Sequence, residues 1–158
     1  MYDILNIKRG NMLTYKIFIL IAMILLHILE DFHLQGILAN MKQKTWWNKQ
    51  IVDFPPKKAN KYRKDYVISL IVHSLENAIF VTLPLIINDL YYTFTVNKDN
   101  SLWIAWLYYI FIIVFFHYRI DDLKCNKMKI NLIVDQLLHF IIIVFIWVLH
   151  WKYLGMWM

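Results

Sequence analysis

Four apolar stretches of the sequence each carry a histidine close to a carboxylate. In the first, His27 and Asp31 are four residues apart, so in a helix both side chains point from one face. The pattern recurs as His73 with Glu76, His117 with Asp121, and Asp135 with His139. Ionisable groups inside apolar helices are costly unless they pair or bind an ion, so we expect these residues to do chemistry.

Imidazole nitrogen and carboxylate oxygen are ligands of Zn²⁺, Mn²⁺ and Fe²⁺, and helical pairs that project into a bundle core can build two-metal sites. We predict two divalent ions, about 3.5–4 Å apart, that activate water and clamp a phosphoester. The predicted metal ligands are His27, Asp31, His73, His117, Asp121, Asp135 and His139. The predicted catalytic residues are Glu76, as a ligand or general base, and Gln35 and Gln136. With Asn77, the two glutamines would orient ligands or contact the substrate.

The composition is typical of a membrane protein. Of the 158 residues, 60% are hydrophobic and 17% aromatic, with only three Gly, which leaves too little polar surface for a soluble domain. The net charge of +6 arises mainly in two loops between apolar stretches. Basic residues in such loops are explained by membrane topology, so no nucleic acid is expected as a partner. The single Cys125 excludes an internal disulfide and a zinc site built from several thiolates.

The pattern predicts an all-α integral membrane protein, a four-helix bundle in one domain over residues 1–158. About 20 residues cross the hydrocarbon core of a bilayer. On that basis the four spans lie at residues 12–30, 66–88, 102–121 and 130–151. We expect the first span to continue as helix to Ala39, residues 89–101 to form a short loop, and Pro84 to be tolerated as a kink. Lys8 and Arg9 precede the first span, which lacks a cleavage site and is read as a retained span.

The basic residues predict the orientation. Two loops, 40–65 and 119–129, hold twelve of the seventeen Lys and Arg residues and lie on the same side of the membrane. By the positive-inside rule that side is cytoplasmic, so in a bacterial inner membrane both termini face out, which Lys8 and Arg9 mildly oppose. Because successive spans alternate in direction, all four histidines then fall in one layer near the cytoplasmic face. We expect their side chains to converge inside the bilayer.

Other ionisable residues are expected to play lesser parts. His33 is predicted to be mostly solvated and His150, beside Trp151, to lie at the membrane interface. Glu30 and Asp122 adjoin better-placed acids, so they are expected on other helix faces, either exposed or supporting the ligands.

The motifs also resemble a known family. They read His27-x-x-x-Asp31-Phe32-x-x-Gln35, then His73, then His117-x-x-Ile120-Asp121-x-x-Lys124, then Asp135-Gln136-x-x-His139. Over residues 20–140 this order resembles the small bacterial and phage membrane proteins catalogued as domain of unknown function 3307. The helical pairs are distantly similar to inner-membrane metal-dependent hydrolases and to the zinc phospholipase C and nuclease class, which cleaves phosphodiesters. This chain lacks the Pro-Leu-His of that class, so the similarity implies metal binding rather than a particular zinc cluster or substrate.

The resulting expectation is a membrane-embedded, metal-dependent hydrolase of a phosphoester such as a lipid phosphate or a phosphodiester. The basic loops would attract an amphiphilic or anionic phosphate, with the lipid bilayer as partner, and a homo-oligomer is compatible with the sequence. One alternative is a carrier or channel for protons or divalent metal ions, although the outer halves of the spans offer almost no polar path. Another is a small non-catalytic membrane protein of phage or bacterial origin.

Overall fold

Helices make up nearly all of the regular structure. The structure is a computed structural model that describes the backbone of residues 2–96 and 103–154, with side chains for 12–95 and 103–152. Its helices are α1 (Tyr2–Leu29), α2 (Leu38–Met41), α3 (Lys44–Gln50), α4 (Pro56–Tyr62), α5 (Asp65–Val96), α6 (Trp103–Cys125) and α7 (Leu132–Leu154). No strand occurs within the described ranges, and the all-α prediction is confirmed.

Four of the helices are long and apolar enough to cross a membrane. The candidate spans are Met12–Leu34, Pro56–Thr95, Trp103–Cys125 and Leu132–Lys152. The outside of the helices carries large apolar side chains; Phe18 and Phe111, for example, are 64% and 68% exposed. Water would disfavour such a surface, whereas lipid tails match it. The chain is therefore a membrane protein, as predicted.

The four long helices form a closed bundle. Both α1 and α6 pack against α5 and against α7. The histidine and carboxylate pairs meet where α1 and α6 end and where α5 and α7 begin, so neighbouring helices run antiparallel. This arrangement confirms the predicted four-helix bundle with its histidine and carboxylate pairs facing the core.

An apolar layer fills the middle of the bundle. It consists of Ile19, Met23, Ala78, Val81, Leu85, Tyr109, Ile113, Ile143 and Ile146. On every long helix these residues lie between the end that carries the histidines and carboxylates and the opposite end. The layer therefore separates polar side chains at the two ends of the bundle.

The first span does not continue as α-helix to Ala39. It widens into a π-helical turn at Glu30–Leu34, in which the Gln35 N–H donates to the Glu30 carbonyl at 3.1 Å. Glu30 and Asp31, three and four residues after the buried His27, are 0% and 4% exposed. Gly36 then adopts a φ of 50°, a left-handed conformation that ends the helix and favours glycine. The expectation that Glu30 lies on a separate face is wrong, because residues three and four positions after His27 both lie on its side of the helix.

The second span is longer than predicted. Helix α5 passes through Pro84 and continues to Val96, so most of the predicted loop 89–101 is helical; residues 97–101, including Lys98, lie outside the described part. The added turns stay packed because Asp89 accepts a hydrogen bond from Trp106 Nε1 at 2.7 Å.

The predicted loop 119–129 is also mostly helical. Helix α6 continues to Cys125 and a turn at residues 126–131 leads to α7. Asp121 is buried and Lys124 pairs with Asp135 at 2.6 Å, so this last part of α6 is held against the bundle. The basic segment 40–65 folds as α3 and α4, and Pro56 begins α4, where its missing N–H costs nothing.

Candidate metal centre

The seven predicted metal ligands lie in one buried cluster. Three groups of residues have ligand atoms that all lie within 4.8 Å of one another. The groups are His27, His117 and His139; Asp31, His73, His117 and Asp121; and Asp31, Asp135 and His139. Asp31, His117 and His139 each belong to two groups, which makes the cluster continuous. Groups of imidazoles and carboxylates at this separation could hold a divalent ion.

His73 makes contacts on both sides of its ring. Its Nε2 atom lies 3.1 Å from His117 Nε2, 3.3 Å from Asp121 Oδ2 and 3.4 Å from Asp31 Oδ1. Its Nδ1 atom lies 3.1 Å from Glu30 Oε1. A carboxylate behind an imidazole accepts the proton on that nitrogen and leaves the opposite nitrogen free to bind metal. Glu30 therefore lies on one side of the His73 ring, while Nε2 on the other side faces the cluster.

Asn77 connects two parts of the cluster. Its Nδ2 donates to Glu30 Oε2 at 2.5 Å and lies 3.0 Å from His27 Nδ1. The amide thereby holds the His27 ring beside those of His139 and His117, whose centroids lie 4.9 and 5.9 Å away. This is the orienting role that the sequence predicts for Asn77.

The three remaining imidazoles pack closely. The rings of His117 and His139 stack with centroids 4.2 Å apart, and His27 meets His139 edge-on at 4.9 Å. A cavity of about 10 Å³ adjoins them, room for about one water molecule. Its lining consists of His27, Asn77, Ile113, His117, His139, Ile142 and Ile143.

Several buried polar atoms of the cluster have no hydrogen-bond partner among the described residues. They are His27 Nε2, both ring nitrogens of His139, and the Oδ1 atoms of Asp31, Asp121 and Asp135. Each unsatisfied buried group costs about 1–3 kcal/mol of folding free energy. A bound cation would satisfy nitrogen and oxygen atoms of these kinds together, so the donor set fits a divalent metal ion.

Lys42 enters the cluster, although its segment, 40–65, is predicted to be a basic loop. Lys42 is 5% exposed, while the other seven Lys and Arg residues of the segment are exposed. Its Nζ donates to Asp121 Oδ2 at 2.8 Å and lies 3.1 Å from His73 Nε2 and 3.7 Å from Asp31 Oδ1. Burial lowers the pKa of Lys42, but the neighbouring carboxylates of Asp121 and Asp31 outweigh it and raise the pKa above its usual value.

The second lysine at the cluster is Lys124. Its Nζ donates to Asp135 Oδ2 at 2.6 Å, and its side chain is 27% exposed. Both lysines come from segments predicted to be basic loops, where a count of charges does not distinguish the residue that folds inward from its solvated neighbours.

The three predicted catalytic residues have different surroundings. Gln136 Nε2 donates to Asp31 Oδ2 at 2.7 Å and to Asp135 Oδ2 at 3.1 Å. The Gln35 side chain donates to the backbone carbonyl of Asp31. Glu76 is half-buried and belongs to none of the three groups found among the described residues. Glu30 takes the place beside His73 that the sequence assigned to Glu76, because Glu30 lies on the buried face of the first span, three residues after His27.

A second buried polar group lies at the opposite end of the bundle. Asp89 is 1% exposed and accepts hydrogen bonds from Trp106 Nε1 at 2.7 Å and Asn88 Nδ2 at 3.0 Å. His150 Nε2 lies 3.3 Å from Asp89 Oδ1 and His150 is 2% exposed. The prediction that His150 lies at the interface is therefore wrong, because a carboxylate partner holds it inside. His33 is exposed, as predicted.

No family model matches the chain, and no curated protein or solved structure matches it. The resemblance to the membrane family and to metal-dependent hydrolases therefore stays a prediction.

Proposed function

We propose that the chain is a membrane-embedded, metal-dependent hydrolase of a phosphoester such as a lipid phosphate or a phosphodiester. The observation that carries the proposal is the meeting of seven His and Asp side chains from four candidate spans in one buried cluster. Zn²⁺, Mn²⁺ and Fe²⁺ are the ions that such a donor set accepts. A divalent ion supplies a hydroxide nucleophile at neutral pH and polarises phosphoryl oxygens.

Two cation positions are supported by the overlap of the groups. Asp31 and His117 each connect the Asp31, His73, His117 and Asp121 group to a neighbouring one. Bridging residues of this kind are a property of two-cation sites, in which the cations are about 3.5–4 Å apart and hold the two oxygens of an in-line displacement.

An amphiphilic phosphate is the substrate class that the surroundings favour. Seven exposed Lys and Arg residues of segment 40–65 adjoin the cluster end of the bundle. Helices α3 and α4 also frame an open groove lined by Lys44, Asn48, Ile51, Val52, Ala59 and Arg63. Cations beside apolar side chains suit an anionic headgroup whose acyl or prenyl chain stays in the bilayer. In this proposal the basic end faces the cytoplasm of a bacterial inner membrane, and the half-buried Gln35 and Gln136 contact the phosphoryl group.

A carrier or channel for protons or divalent metal ions is the second candidate. The buried Asp89 and His150 favour it, since they give the bundle ionisable groups at both ends. The apolar layer opposes it: Met23, Val81 and Ile146 are fully buried between the two ends, and an ion crossing them would lose its polar ligands.

The experiment measures metal content and hydrolysis in the same purified samples. Elemental analysis gives the number of ions per chain, and hydrolysis is followed with a chromogenic phosphodiester and with phosphatidic acid in detergent micelles. We expect His139→Gln and His117→Gln to lose bound metal and hydrolysis together, because both residues connect groups of the cluster.

The matched control is Asp53→Asn, which removes an exposed carboxylate of segment 40–65 and should change neither quantity. Full metal content in both cluster variants would contradict the metal centre. Ion flux into liposomes at a rate that depends on His117 would favour the carrier instead.

A further inference from the structure

We propose that the Lys42 ammonium permanently fills one of the two cation positions, so that the native chain binds a single divalent ion. The inference rests on the proposed metal centre and concerns its composition. It predicts a site with one metal ion and one fixed ammonium in place of two metal ions.

The surroundings of Lys42 Nζ are those of a metal cation. One imidazole nitrogen, His73 Nε2, lies 3.1 Å away, and two carboxylate oxygens, Asp121 Oδ2 and Asp31 Oδ1, lie 2.8 and 3.7 Å away. An ammonium can only donate, so a hydrogen bond from Lys42 requires a lone pair on His73 Nε2; Glu30 Oε1 lies 3.1 Å from Nδ1, the opposite ring nitrogen. Such a lone pair can accept a hydrogen bond from an ammonium or bind a metal ion.

The backbone on both sides of Lys42 is held in place. Asn126 Nδ2 donates to the Lys42 carbonyl at 3.2 Å, and the Lys44 N–H donates to Asn126 Oδ1 at 2.7 Å. Trp47 Nε1 also donates to the Met41 carbonyl at 2.6 Å. The segment that carries Lys42 is therefore tied to the α6–α7 turn, and the ammonium is directed into the cluster by the fold.

The charge of the cluster accommodates one divalent ion. The carboxylates are those of Glu30, Asp31, Asp121 and Asp135, and the ammonium groups are those of Lys42 and Lys124. With neutral imidazoles the formal charge is minus two, since four carboxylates face two ammonium groups. One divalent ion makes the buried site neutral, which apolar surroundings favour. Two divalent ions would leave a buried excess of positive charge.

The three-histidine group is where the metal ion fits. His27 Nε2 and both ring nitrogens of His139 have no hydrogen-bond partner among the described residues, and His117 completes the group. The small cavity beside these rings has room for about one water molecule. Three protein ligands and one water are the usual coordination of a catalytic zinc ion.

The test counts ions per chain in full-length protein. Native protein, Lys42→Met and Lys49→Met are each saturated with Zn²⁺ in detergent, freed of excess ion on a desalting column and assayed by elemental analysis. We expect one zinc ion in the native chain and two in Lys42→Met, because removing the ammonium opens its position. Lys49 is exposed, so Lys49→Met removes the same charge without touching the cluster and should bind one.

The outcomes separate this inference from the proposed function. Two ions in the native chain, or one in a folded Lys42→Met protein, would overturn the role of Lys42 and leave the metal centre standing. No ion in the native chain would overturn the metal centre and this inference with it.

Amine labelling tests the same claim without a variant. Zn²⁺-loaded native protein is treated with an acetylating N-hydroxysuccinimide ester and the modified lysines are identified by mass spectrometry. We expect Lys49 to be acetylated and Lys42 to stay protected, since its ammonium remains in the cluster with the metal bound. Acetylation of Lys42 at the rate of Lys49 would show that metal displaces it, which would overturn the proposal.

Discussion

The carboxylate beside His73 in the folded protein is not the one that the sequence predicts. Spacing favours Glu76, three residues from His73 on the same helix. The fold brings in Glu30 from α1, whose carboxylate contacts His73 on one side and the Asn77 amide on the other. Glu30 therefore orients a ligand without belonging to the groups that could bind the ion.

Replacing Glu30 by glutamine should weaken metal binding without abolishing it. Glu30 accepts a hydrogen bond from the Asn77 amide, which contacts the ligating His27. The loss of such a supporting carboxylate lowers metal affinity by about 10–100-fold, so Glu30→Gln should still bind metal at saturation but with a larger dissociation constant. Competition with a chromophoric chelator measures this constant. Glu76→Gln is the matched control and should retain the native value; a larger effect of Glu76→Gln than of Glu30→Gln would contradict the assignment.

At the scale of elements, contacts between helices decide which charged side chains lie inside. Two adjacent acids, Glu30 and Asp31, are buried three and four residues after the buried His27, where the helix widens into the π-helical turn. Helix α5 continues past its predicted end because Asp89 is held by α6 and α7. In both places a buried acid and its partners on other helices override the local pattern.

Asp89→Ala should destabilise the bundle at the end away from the cluster. The change leaves Trp106 Nε1 without its buried acceptor and His150 without the carboxylate 3.3 Å away. The loss of a buried acceptor costs about 1–3 kcal/mol of unfolding free energy. Thermal unfolding in detergent, followed by circular dichroism, measures the change. Asp53→Ala removes an exposed acid and should leave the transition where it is, and metal content should be native in both variants. An unaltered transition in Asp89→Ala would count against the buried role of the pair.

On the scale of the whole molecule, the bundle combines two environments. Its middle is an apolar layer. The end that holds the cluster is a polar core in which several nitrogen and oxygen atoms lack a hydrogen-bond partner among the described residues. Four helices held together by such a core should depend on the ion for part of their stability, because a ligand that binds only the folded state stabilises it in proportion to the logarithm of its concentration.

Removing metal should therefore lower the unfolding temperature of the native protein. Zinc at a hundredfold excess over its dissociation constant adds about 2.7 kcal/mol to the unfolding free energy. Chelation should shift the transition down, and added Zn²⁺ should restore it. The His117→Gln protein, which lacks a ligand shared by two groups, should show no response to either treatment. Identical transitions of the native protein with chelator and with Zn²⁺ would contradict a structural contribution from the ion.

Much of this protein follows from local pattern. Long apolar stretches predict the four spans because a bilayer requires about 20 residues of helix. The spacing of His27 with Asp31, or of Asp135 with His139, predicts a shared helix face because that relation depends only on helical geometry. Alternating span direction then predicts one layer of histidines, and the structure brings all seven predicted ligands together.

Only the tertiary structure decided which further charges join them. Lys42 belongs to a segment with eight positive charges, and nothing local separates it from Lys44 or Lys49; its burial depends on Asn126, 84 residues away. Glu30 lies beside His73 of another helix, and His150 lies beside Asp89 of another helix. Spacing along one helix is set by the chain itself, whereas these positions depend on contacts between distant segments, which exist only when the bundle has formed.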